Sequence, residues 1–436
     1  MNDWNAGCHS GNARLRLALS DRKRTIGVTV GALSNIKVVD LTHVVAGPFC
    51  TYQLAVMGAD VIKIESPDLP DMVRARTPEF PHGENGLSAF FNAQNAGKRA
   101  IAVDLKTPQG LEVVKRLLAD ADVLVENYRA GAMAALGLGY DDVCTIRPDI
   151  IYCSMTGFGQ SGPKAQHNAF DNVIQAFSGL MASNGDEESA PVKIGPPVLD
   201  YGTGIQAAFA IVCALLERSR SGRGQHIDIA MLDAALMLMG SAVTYCQEEG
   251  APRPLSGNMS PDNAGYCCYR ASDGLVMLGA YTGTQVADMW QVIGDAEYGE
   301  RFRGLPMPAM SASYTEDRNR IAESIASKPA AHWETAFNAN RVPAARVRTL
   351  DEAIGEEQLK HRMVLQAPVT NRQRSYPTAA FSYADDGPSL SAPPPVFAQH
   401  TREILMQHDY STEQVDALAA AGVISEASET SETRAR

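Results

Sequence analysis

The sequence predicts an α/β protein: a large domain built on a mostly parallel sheet, followed by a smaller domain. Three observations predict it. Short apolar runs alternate with helical patterns from residue 36 to about 230, the signature of strands joined by covering helices. After about residue 255 the composition turns loop-rich with short strands and then helical. The 436 residues also exceed what one ordinary hydrophobic core organises.

The elements follow in order. "IKVVDL" (36–41) reads as a strand, and "GPFCTYQLAVMGAD" carries a helical pattern that stops at Gly58, a C-terminal glycine. "VIKIE" (61–65) and "AIAVDL" (100–105) are further strands. Thr107-Pro108 starts a helix whose apolar face is Leu111, Val113, Val114, Leu117 and Leu118. "VLVEN" (123–127) and "IIYCSMT" (150–156) are strands, and a long apolar helix at about 203–218 turns at "RSRSGRGQ" into the strand "HIDIAM". These patterns divide the chain into an N-terminal extension (1–33), a large domain (34–230), a linker (231–256), a small domain (257–345) and a return segment (346–436) packing on the large domain.

The bulk numbers exclude several function classes. A net charge of −12 opposes a general nucleic-acid or anionic-membrane surface, since both need a dominant basic field. No continuous apolar run reaches the length that spans a bilayer. The eight cysteines contain no C-x-x-C pair and mostly sit in apolar runs, as reduced cysteines of a cytoplasmic protein do. The nine histidines show neither H-x-x-x-H nor H-E-x-x-H, so no metal site is expected. Residues 1–33 carry Arg14, Arg16, Arg22, Lys23 and Arg24 against Asp3 and Asp21, which fits a transit peptide or, as expected here, a disordered extension. The polar end "SEASETSETRAR" is expected to fray.

"GFGQSGP" (157–163) matches the dinucleotide fingerprint G-x-G-x-x-G and follows a strand. Its context is wrong. A true fingerprint opens a helix and is followed about 20 positions later by an acid. Here Pro163 and "KAQHN" show no helical period, and position 182 is Ala. The segment reads as a glycine turn at a strand end, and no nicotinamide or flavin cofactor is expected.

Several segments together resemble the family III CoA transferases of the CaiB/BaiF type, the group of formyl-CoA, carnitine and bile-acid CoA transferases. They are "VVDLTHVVAGPFCTYQLAVMGADVIKIESP", "NAGKRAIAVDLKTPQG", "ADVLVENYRAGAMAALGLGYDD", "RPDIIYCSMTGFGQSGP", "FDNVIQAFSGLM", "PPVLDYGTG" and "SGRGQHIDIAMLDA". The resemblance is dense from about 35 to 240 and looser to about 410. It implies a Rossmann-like large domain with a smaller α+β domain, in a homodimer whose chains interlock. It implies transfer of CoA from an acyl-CoA donor to a carboxylic acid, through aspartyl anhydride and aspartyl-CoA thioester intermediates. CoA thioester is then a substrate, with no permanently bound cofactor.

Asp200 in "LDYGTG" matches the nucleophilic aspartate of the resembling family. Gly202 and Gly204 permit close backbone approach and set Asp200 at a helix N-terminus, where the dipole is expected to keep its carboxylate ionised. The positions matching CoA contacts are Val45 and Ala46, Val103 to Lys106, Asn127, Tyr128 and Arg129, and Asn168, Ala169, Phe170 and Asp171. Lys106, Arg129, Arg74 and Lys98 are the basic side chains expected beside the phosphates.

This chain departs from the resembling family in places. Ser66 stands where many relatives have Arg, and Val45 stands where the formyl/oxalyl enzymes have Gln. "SGNMSPDNAG" lacks the glycine run of those enzymes, which counts against oxalate–formate exchange. An acyl-CoA racemase or isomerase on the same scaffold is the alternative. It needs a base on each face of the α-carbon, and Phe170 occupies the position of the related racemases' histidine, with His167 three residues away.

Overall fold

The computed structural model describes residues 31–75, 87–370, 374–385 and 387–427. The expected N-terminal extension lies outside these residues as far as residue 30, and the polar end does so from residue 428.

The large sheet is assembled from β1 (Lys37–Leu41), β2 (Asp60–Glu65), β3 (Arg99–Val103), β4 (Val123–Glu126), β5 (Ile151–Thr156) and β6 (Gln225–Ala230). Their order across the sheet is β3-β2-β1-β4-β5-β6, all parallel. This is the doubly wound order in which the chain winds outward from β1 in one direction and then from β4 in the other. Strand residues alternate between two cores, as a period-2 backbone requires. Val39, Ile62, Ile101 and Leu124 face one core, while Val38, Val61, Val123 and Val125 face the other.

The first core is covered by α3 (Pro108–Ala119), whose N-cap Thr107 Oγ1 accepts from Gly110 N–H as the Thr-Pro start predicts. The second is covered by α1 (Ala46–Val56) and α5 (Val198–Ser221). Between α1 and α3 lies α2 (Ala89–Asn95), and α4 (Asp171–Phe177) precedes α5. Helix α5 is long and apolar enough by length and composition to cross a membrane, which the reading of continuous runs did not register. One face of it is buried in this core.

The stretch 231–256, expected as a linker, is helical over α6 (Met231–Leu238) and α7 (Gly240–Glu249). Strands β7 (Cys268–Arg270), β8 (Leu275–Leu278) and β9 (Ala344–Arg346) then form a separate antiparallel sheet. Its own core gathers Trp290, Ile321, Trp333 and Phe337. The return segment makes a two-stranded ribbon, β10 (Leu365–Gln366) with β11 (Tyr376–Pro377). It ends in β12 (Ile424–Ser425), antiparallel on the outer edge of β3.

"GFGQSGP" is a turn. Gly159 and Gly162 have φ of +89° and +91°, a region that favours glycine, and the next α-helix begins only at Asp171. The phosphate-binding place of a dinucleotide fold, after β1, carries "THVVAGP" instead.

Candidate active site

In an open parallel sheet, ligands bind beyond the carboxyl ends of the strands where the winding reverses. That point lies between β1 and β4, and a cleft opens there. Its walls come from His43 to Ala46 after β1, Asn127 after β4, and Met155 to Gly157 at the end of β5. Ala169, Phe170, Asp200, Thr203 and Met231 complete it.

The segment after β1 is held residue by residue. The buried Lys63 ammonium donates to Thr42 O at 2.6 Å. The Asn127 side chain takes His43 N–H at 2.9 Å and donates to His43 O at 2.8 Å. Asp71 accepts from Val44 N–H at 3.1 Å and pairs with Lys63 at 3.0 Å. These anchors hold Val44 at φ +70°, a left-handed conformation that is strained for a β-branched residue. The chain then enters α1, whose Ala46 N–H acts to lower the pKa of the Asp200 carboxyl.

Asp200 reaches this place because α5 packs unusually close to the first turn of α1. A Cβ on Gly204 would lie 2.7 Å from Ala46 O and 3.2 Å from Cys50 N, so only glycine fits between the helices. Gly202 faces the flexible tip of Leu238 instead.

The electrostatics differ from the expectation of a plainly ionised Asp200. Burial, and then the negative charge of Asp171, push its pKa up to about 7, and the Ala46 N–H only partly offsets them. The first amides of α5 are not free to help. Asp171 Oδ2 accepts from Leu199 N–H at 2.7 Å and from Asp200 N–H at 3.1 Å, so Asp171 caps the helix from a distant loop. Its Oδ1 accepts from Gln175 Nε2 at 2.5 Å. Asp171 is therefore an anchor and a source of like charge beside Asp200.

The other expected residues divide into two groups. Val45, Ala46, Asn127, Ala169 and Phe170 meet Asp200 in the cleft. Tyr128 stands edge-on to the His43 ring, 5.4 Å between centroids. Lys106, Arg129 and Asn168 are exposed, the first two following the carboxyl ends of β3 and β4.

Arg74 and Lys98, expected at the phosphates, are buried in ion pairs. The Arg74 guanidinium grips both oxygens of Glu65 at 2.8 and 2.6 Å, donates to Pro395 O, and stacks on Phe91. Lys98 spends its three donors on Asp40, Pro48 O and Asn95. The Val103 side chain lies wholly within the core, leaving only its backbone for contact.

Sequence reasoning missed His43 and Thr203. His43 is kept neutral, its pKa lowered chiefly by burial. "TH", directly following the first strand of a doubly wound sheet, was the available signal. Thr203 lies three residues after Asp200 on the same helix face.

Comparison with known proteins places the chain in a family. Residues 33–401 match the family described as CoA-transferase family III. A succinate–glutarate CoA-transferase of Agrobacterium fabrum is 36% identical over 333 residues, 76% of this chain and 83% of that one. A succinyl-CoA:glutarate CoA-transferase of Mus musculus is 34% identical over 406 residues, 90% of each chain. A succinyl-CoA:mesaconate CoA-transferase of Haloarcula marismortui is 32% identical over 394 residues, 86% of this chain and 96% of that one. The crystal structure of a CAIB/BAIF family protein from Brucella suis superposes with a TM-score of 0.78 at 31% identity, covering 87% of this chain and all of that one.

Proposed function

Because the chain belongs to CoA-transferase family III and is a CoA-transferase, we propose that it moves CoA between two carboxylic acids with Asp200 as the nucleophile. The observation that carries this reading is the buried carboxyl of Asp200 in the cleft at the winding reversal. Its pKa of about 7 leaves a reactive fraction ionised near neutrality, with greater basicity than an ordinary aspartate.

The ionised carboxylate attacks the thioester carbonyl, and CoA thiolate leaves to give a mixed anhydride. The thiolate then attacks the aspartyl carbonyl and releases the donor acid, leaving an aspartyl-CoA thioester. An incoming carboxylate repeats the two steps in reverse order and departs as the new acyl-CoA. Val45, Ala46, Asn127, Tyr128, Ala169 and Phe170 would line the acyl-CoA path, with the exposed Lys106 and Arg129 available to phosphate. The donor is proposed to be succinyl-CoA and the acceptor a short dicarboxylate, from the names of the three relatives above.

We also propose a homodimer. Ile205, Phe209, Val212 and Leu216 are exposed along one stripe of α5, and α7 buries no residue within its own chain. Such a surface needs a partner.

The test is to incubate the protein with acetyl-, succinyl- or glutaryl-CoA, add hydroxylamine, and map modified peptides by mass spectrometry. An acyl-CoA-dependent hydroxamate on Asp200 is the expected result. No adduct together with solvent deuterium in the acyl α-carbon would replace the transferase reading by an isomerase. Neither signal would leave a protein that binds acyl-CoA without reacting.

A further inference from the structure

Thr203 lies on α5 one turn beyond Asp200 and forms part of the cleft wall. It is 1% exposed, and its hydroxyl has no hydrogen-bond partner among the described residues. A threonine inside a helix ordinarily donates to the carbonyl one turn earlier, which here is Leu199 O. Thr203 does not take that bond. A buried hydroxyl without an acceptor costs stability, so one at a ligand cleft calls for an acceptor that arrives with the reaction.

We propose that Thr203 is a catalytic donor, which receives the oxyanion formed on the thioester carbonyl when Asp200 attacks it. This rests on the reading of Asp200 as nucleophile. When the Asp200 carboxylate adds to the thioester carbonyl carbon, a C–O bond forms and the C=O π pair moves onto the thioester oxygen. Collapse restores the C=O bond and expels CoA as its thiolate, carrying the pair of the broken C–S bond. No proton is transferred, so Thr203 keeps its own and supplies only a hydrogen bond.

Thr203 and Asp200 share the cleft wall on α5, which is locked against the first turn of α1 at Gly204. A fixed donor beside the nucleophile on a rigid element is what a preorganised oxyanion site needs.

The experiment compares Thr203→Val and Thr203→Ser with the parent protein. Succinyl-CoA is the probe, acetyl- and glutaryl-CoA the alternatives, and the readouts are hydroxylamine-trapped Asp200 adduct in single turnover, steady-state kcat and KM, and melting temperature. Thr203→Val keeps the shape and removes a hydroxyl that bonds nothing in the free protein. Its melting temperature is expected to equal or exceed the parent's, while turnover falls roughly 10²-fold with KM little changed. Thr203→Ser is expected to recover most of the loss.

Turnover of Thr203→Val within about twofold of the parent overturns the proposal. So does a melting temperature several degrees below the parent's, because the hydroxyl then has a structural partner. If the parent itself forms no Asp200 adduct with any of the three thioesters, the reading of Asp200 fails first and this proposal with it.

Discussion

At the scale of single residues, the site is organised around a carboxylate held at a thermodynamic disadvantage. Asp200 has a pKa of about 7 in the fold, against about 3.9 for an aspartate in an unfolded chain. Between those values the unfolded chain gives up the proton first, so the contribution of Asp200 to stability falls as pH rises through that window. Asp200→Asn should therefore melt a few degrees higher than the parent at pH 8, with the difference shrinking to nothing below about pH 4. The shift corresponds to at most about 4 kcal/mol, less whatever solvent reaches the group. A lower melting temperature at pH 8 would mean that Asp200 is a structural cap, while loss of turnover in this variant is common to both readings. Asp171 contributes its charge to the raised pKa. In Asp171→Asn the side-chain oxygen can still cap α5, but the like charge is gone and the ionised form of Asp200 is favoured. The acid limb of the acylation-rate profile should then move to lower pH. An unmoved limb would show that burial alone sets the pKa.

At the scale of elements, the contact between α1 and α5 decides whether the site exists. Gly204→Ala would drive a Cβ to 2.7 Å from Ala46 O, and backbone cannot yield as a side-chain tip can. The helices must part, at a cost of about 1–3 kcal/mol by comparison with overpacked cores. The Ala46 N–H should also retreat from Asp200, so acylation should slow by more than the small loss of folded protein explains. Calorimetry and single-turnover trapping on one sample would separate the two effects, and an unchanged acylation rate would refute the geometric link. This contact also marks the limit of what the sequence discloses. "LDYGTG" pointed to the aspartate through its resemblance to a family motif, its glycines allowed a close approach, and strand patterns alternating with helical ones pointed to the sheet, because all of these are patterns of neighbouring residues. The cap from Asp171 joins residues 28 and 29 positions apart, and the Arg74–Glu65 and Lys98–Asp40 pairs join residues 9 and 58 positions apart. A lysine or arginine near a motif looks the same in sequence whether it faces a phosphate or a buried carboxylate. For the same reason Thr203 was invisible: its distinguishing feature is a hydrogen bond that it does not make.

At the scale of the whole molecule, one chain leaves an apolar surface that the described residues do not cover. Phe209, Val212 and Leu216 recur at helical spacing on α5 with Cys213 beside them, while the opposite face of the same helix is sunk in the core. Phe209 is 66% exposed, a large aromatic surface to leave in water. A membrane would cover such a stripe only if the helix were free to insert, and its buried face is committed to α1 and the sheet. A second copy of the chain meets no such obstacle. The protein should therefore elute and scatter light at twice the 46.8 kDa chain mass, without dissociating on dilution to nanomolar concentration. Cys213 should resist a maleimide in the native protein and react once it is denatured, whereas in a monomer it is exposed. Phe209→Glu would place a charge in that stripe. If α5 is an interface, that variant should lose both the dimer and CoA transfer, since the interface helix begins at the residues that carry Asp200. A stable, active monomer would show that the stripe serves some other contact and that one chain completes the site.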